Sequence, residues 1–85
     1  MSFRLAIKPS AQKELEALRD PLLARVDAAI LKLGENPRHP GVIHLKGAPL
    51  HRSRVGDRRI LYEIDDKANL VTIVSITHRR DAYRR

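Results

Sequence analysis

The side chains with the most chemistry to offer lie in the second half of the chain. His78, Arg79 and Tyr83 place a titratable ring, a fixed cation and a phenol within six residues. Upstream, Arg52, Arg54, Arg58 and Arg59 fall in two short β-prone runs divided by Gly56-Asp57. RNA is cut without a metal when a base removes the ribose 2′ proton, cations stabilise the charge building on phosphorus, and an acid protonates the departing 5′ oxygen. All of those residue types are present. Arginine suits the electrostatic part, because its planar fork grips phosphate oxygens and stays charged at any accessible pH, and that permanence makes it a poor proton carrier. His78, with an ordinary imidazole value of about 6.5, is therefore the acid or base expected from residue type. Tyr83 is suited to orienting substrate, stacking on a base or donating a proton. A solvated, charged tail is the plainer reading of the same residues.

Strands must bring the arginines together for them to act together. In the run 50–55, Arg52 and Arg54 share one face. In the run 58–64, Ile60, Tyr62 and Ile64 share one face and Arg59 takes the other. A two-residue turn at Gly56-Asp57 sets Arg54 opposite Arg59 and Arg52 opposite Leu61, so that three guanidinium groups crowd one side. Like charges facing each other across strands weaken a sheet, and a bound phosphate would relieve them. Arg58 and Arg80 are the neighbouring cations expected to add phosphate contacts.

The rest of the chain supplies the scaffold. Phe3, Leu5 and Ile7 alternate with polar or small residues, a half-buried strand that Pro9 ends. Ala11, Leu15, Leu18 and Leu22 then recur at helical spacing, and after Asp20-Pro21 a second stripe of Leu22, Val26, Ala29, Ile30 and Leu33 is closed by Gly34. Residues 36–49 hold three of the five prolines and two of the four glycines and read as a loop, with His39 and His44 at the surface. Strands are expected at 50–55, 58–64 and 70–77, the last apolar or β-branched on both faces and so central. The order β-α-α-β-β-β predicts one α+β domain over residues 1–85, a helical hairpin packed on a curved, mainly antiparallel sheet.

Composition narrows the partners. The 85 residues suffice for one modest core, and with no cysteine there is no disulfide to brace it, so a stabilising partner is expected. Seventeen Lys and Arg face ten Asp and Glu, a net charge of +7. Residues 1–35 carry six cations and five anions, net +1, and residues 36–85 carry eleven and five, net +6. A basic half of this kind is the footprint of nucleic-acid binding, although an acidic protein partner would select the same surface. Asp57, Glu63, Asp65 and Asp66 cluster at turns, the histidines at 39, 44 and 51 lack ligand spacing, and glycine is too sparse for a phosphate-cradling loop. No metal and no cofactor are expected. No apolar run nears the roughly 20 residues that cross a bilayer, and no secretory leader is apparent, so a cytoplasmic location is expected.

The segment LKGAPLHRSRVGDRRILYEID, the ending HRRDAYRR and the βααβββ order together resemble the RelE branch of the RelE/ParE toxin family over nearly the whole chain. The resemblance implies a microbial-RNase-like fold, a cognate antitoxin, and cleavage of mRNA in the ribosomal A site without metal, leaving a 2′,3′-cyclic phosphate and a 5′-hydroxyl. It further implies that Arg59 grips the scissile phosphate, that Arg79 is a second phosphate arginine, that Tyr83 is the C-terminal catalytic tyrosine, and that His78 lies beside them. Arg52 and Arg54 stand where well-known members carry lysines, so either His78 takes over proton transfer or the arginines act only electrostatically. Only Phe3, Tyr62 and Tyr83 are aromatic, too few to stack free RNA, which points to a ribosome that presents the message. Two alternatives share the sequence: a ParE-like toxin that inhibits DNA gyrase by binding, and a non-catalytic nucleic-acid-binding accessory protein. For the antitoxin, an acidic or amphipathic segment is expected along the helix pair or over the arginine face.

Overall fold

A computed structural model describes residues 2–78. The elements run β1 (Arg4–Ile7), α1 (Pro9–Glu16), α2 (Leu22–Glu35), β2 (Ile43–His44), β3 (His51–Val55), β4 (Arg58–Asp65) and β5 (Leu70–His78). The strands form one sheet in the order β1-β5-β4-β3-β2, in which β1 is parallel to β5 and the other pairs are antiparallel. The expected α+β architecture is present, with β5 inside the sheet. One strand was not foreseen: Ile43–His44 pairs with Arg52 and His51 within the stretch read as a loop. Two residues are too few for an alternating pattern to stand out from prolines and glycines.

Pro9 both ends the strand pattern and opens α1, where its missing N–H is not needed. Ala11 and Leu15 of α1 and Val26, Ile30 and Leu33 of α2 are the buried stripes that the helical spacing required. Both helices contribute to one core with Val55, Ile60, Tyr62, Val71, Ile73 and Ile76, so they share a single face of the sheet. The expected hairpin is anchored mainly by the strands, α1 lying on β5 and α2 over β1, β3 and β5. Asp20 accepts a hydrogen bond from the Ala24 amide at 3.2 Å, steadying the start of α2. Gly34 does not close α2 but lies inside it. A Cβ there would come within 3.2 Å of the Leu5 side chain, and the Gly34 carbonyl accepts from the Phe3 amide at 2.6 Å, so the glycine lets α2 press on β1.

The double-sided apolar character of β5 has a local cause. Leu61 pairs with Ser75 and Tyr62 with Ile73, leaving Val74 as an extra residue. The bulge resets the alternation, so Val71, Ile73 and Ile76 all reach the helix-side core. Beyond the end of β1, the Glu14 carboxylate accepts from the Ile76 amide at 3.0 Å and from Ser75 Oγ at 3.3 Å, covering that edge of β5. Among the described residues, no helix is long and apolar enough to cross a membrane.

Candidate functional site

The β3-β4 hairpin carries the site. Gly56 takes a φ of +57° and Asp57 does not take a positive φ, the pattern of a type II′ turn with two central residues. That turn fixes the register Arg54↔Arg59, Ser53↔Ile60 and Arg52↔Leu61, as the sequence predicts. Since Ile60 points into the core, Arg52, Arg54 and Arg59 share the sheet face turned away from the helices, next to Thr77 of β5. Arg54 is exposed, Arg52 is half-buried and Arg59 is only 7% exposed. Farther along the same face of β4 come Glu63 and Asp65, so the face is cationic toward the hairpin tip and acidic at its other end. An anion is therefore drawn to one end only.

Strand parity separates from this face two residues expected to act with it, Arg58 as a phosphate contact and His78 as an acid or base. Arg58 pairs with Val55 and His78, and these three positions share the helix-side face. Arg58 and His78 line a cleft of about 230 Å³ with Leu22, Arg25, Gly56 and Asp57. The structure thus unites Arg52, Arg54 and Arg59 on one face and gathers Arg58 and His78 on the reverse of the same hairpin. Arg79, Arg80 and Tyr83 lie outside the described residues. Arg25 was not foreseen: its guanidinium lies 3.8 Å from where a Gly56 Cβ would stand, and no local motif links a residue of α2 to a turn so distant in sequence.

Like charges set directly opposite across β3 and β4 have a measurable consequence. Arg54→Thr is expected to raise stability by about 0.2–1 kcal/mol through relief of the cross-strand repulsion with Arg59. Urea denaturation checks this, and a destabilised variant would show that the arginine pair serves the fold.

At the β2 end of the hairpin, His44, His51 and Tyr62 form a cross-strand ladder on the helix side, with ring centroids 4.6 Å and 5.7 Å apart. The Tyr62 hydroxyl is buried and donates to the Pro37 carbonyl at 2.6 Å, and burial pushes its pKa up to about 12. Arg38 forms a two-pronged ion pair with Asp66 at 3.0 and 2.9 Å, which holds the Asp66 carboxyl below its usual range. His39, half-buried rather than at the surface, approaches Ser53 Oγ at 3.3 Å. Burial, and then the neighbouring His44 and Arg38, lower the His51 pKa.

The unfolded chain therefore binds a proton at His51 before the folded one does. Stability is complete above the ordinary imidazole value of about 6.5, falls as the pH drops through it, and levels off once the folded imidazole also protonates. Thermal unfolding between pH 7.5 and pH 5 is expected to show this loss, and His51→Gln is expected to flatten it. An unchanged pH profile in His51→Gln would contradict the assignment.

Among the described residues, the molecule is a small domain with its helices on one face of the sheet and Arg52, Arg54 and Arg59 on the other. A family model described as "ParE toxin of type II toxin-antitoxin system, parDE" matches residues 5–83. Toxin RelG of Mycobacterium tuberculosis is 33% identical over 92 residues, covering 100% of both chains, and Toxin RelE of the same organism is 32% identical over 90 residues, covering 96% of this chain and 87% of that one. The archaeal RelE-RelB complex from Pyrococcus horikoshii contains a chain that superposes with a TM-score of 0.82 at 27% identity, covering 93% of this chain and 97% of that one. The chain belongs to the RelE/ParE family of toxins from type II toxin-antitoxin systems.

Proposed function

We propose that this toxin is a metal-independent endoribonuclease that cuts mRNA in the ribosomal A site and is restrained by a cognate antitoxin. The observation that carries the reading is the register that aligns Arg52, Arg54 and Arg59 on the sheet face turned away from the helices. There Arg59, near the start of β4 and flanked by β3 and β5, grips the scissile phosphate with a two-pronged contact, and Arg52 and Arg54 offset the charge that develops as the 2′ oxygen attacks. Arg79 adds a second phosphate contact and Tyr83 protonates the departing 5′ oxygen, roles carried over from the family resemblance. His78 is on the opposite face from Arg59, so its part is positioning the RNA strand, and the ribose 2′ proton passes to solvent water as the 2′ oxygen attacks. A cognate antitoxin is supported by the relative from P. horikoshii, which is a RelE-RelB complex, and the net charge of +7 suits an acidic or amphipathic chain.

The chemistry has a direct test. Message fragments from cells expressing the toxin without its antitoxin are expected to carry 5′-hydroxyl and 2′,3′-cyclic phosphate ends. Fragments with 5′-phosphates would point to a different nuclease. The family model's description as a ParE toxin favours one second reading, inhibition of DNA gyrase by binding. That reading needs no reacting groups, so toxicity that survives combined loss of Arg59, Arg79 and Tyr83 would support it.

A further inference from the structure

The cleft on the reverse of the hairpin gathers Arg25, Arg58 and His78 around the Gly56-Asp57 turn. Asp57 is in the lining but forms no ion pair with Arg25 or Arg58, and neither guanidinium makes a side-chain hydrogen bond among the described residues. Arg58 Nε is buried without a partner. Two guanidinium groups with no ion pair among the described residues share a concavity of about 230 Å³, where their mutual repulsion works against the fold. The spacing suits a group with several acceptor oxygens and a negative charge, and a phosphodiester has both. Arg58 and Arg59 are consecutive on β4, so they point to opposite faces, and only the hairpin tip separates this cleft from the Arg54–Arg59 pair.

We propose that the Arg25, Arg58 and His78 cleft is a second phosphate subsite, which takes a backbone phosphate of the same single RNA strand and bends that strand over the tip of the β3-β4 hairpin. The proposal rests on RNA being the substrate. It assigns Arg25 and His78 to positioning the strand, away from the reacting atoms.

The test uses the full chain and a labelled 2′-O-methyl RNA dodecamer, which cannot be cut by 2′ oxygen attack. Its affinity is followed by fluorescence anisotropy from about 20 to about 200 mM salt. Each phosphate contact on a single strand contributes about −0.7 to the slope of log K against log salt. Arg25→Gln and Arg58→Gln are each expected to weaken binding about three- to tenfold and to flatten the slope by about 0.7, whereas Arg58→Lys keeps the slope. Lys13→Gln, on the outer side of α1, is the control and is expected to change far less. Slopes for Arg25→Gln and Arg58→Gln equal to the control would overturn the proposal, as would a loss seen only with a base-paired RNA hairpin of the same length. Because the oligonucleotide is not cleaved, a flattened slope upholds the subsite even if message cleavage fails. Intact cleavage with unmoved slopes sinks the subsite alone.

Discussion

Arg59→Ala is expected to slow message cleavage on the ribosome by about 10²–10³-fold, the usual cost of deleting one fixed donor to transition-state charge. Arg59 earns this weight by its position. It lies in the interior of β4 between Arg54 and Thr77, and at 7% exposure it is the most enclosed cation of the face. A guanidinium held in place this way needs little reorganisation as charge develops on phosphorus. Arg59→Lys keeps the charge but loses the planar fork and is expected to recover only part of the rate. Arg54, exposed at the directly opposite position, is expected to matter less. Single-turnover cleavage of ribosome-bound message measures all three. A rate for Arg59→Ala close to wild type, with the fold intact, would remove Arg59 from the reaction centre.

The largest effect on stability is expected at Tyr62. Its ring is fully buried, stacks on His51 and is the bulkiest wholly enclosed side chain of the core. Tyr62→Ala is expected to cost about 3–5 kcal/mol, as for other buried aromatics. A domain of this size has only about 5–15 kcal/mol in total, so that variant should be close to unfolding. Tyr62→Phe keeps the ring but strips the Pro37 carbonyl of its donor, and its expected cost is about 1–3 kcal/mol. The hydroxyl also ties residue 37 to β4 and so steadies the segment leading to β2. Urea unfolding of the two variants separates ring from hydroxyl. Equal stability of Tyr62→Phe and wild type would show that the 2.6 Å hydrogen bond contributes little net energy.

Much of this was legible in local pattern. Gly56-Asp57 dictates a two-residue turn, the turn dictates the register, and the register puts Arg54 opposite Arg59. The helical stripes were equally plain, although the first, read from Ala11 through Leu18 to Leu22, overruns α1, which ends at Glu16. What escaped depends on contacts between distant segments. Gly34 looks like a helix stop until β1 is seen pressing on it. The Val74 bulge is hidden because a run apolar on both faces carries no parity to break. The separation of Arg58 from Arg59 follows from strand alternation alone, but charge composition groups the two residues and obscures it. His78 inherits its face from its pairing with Arg58, across a bulged ladder that the sequence does not display. Arg25 reaches the hairpin only because α2 packs over β3.

The central claim, a message-cutting toxin with its chemistry on the arginine face, is tested most directly by primer extension on mRNA in a purified translation system, run with and without ribosomes beside a gyrase supercoiling assay. The expected result is cuts that require ribosomes and vanish in Arg59→Ala, with supercoiling unaffected. Intact message together with inhibited supercoiling would contradict the account and assign the toxin to gyrase.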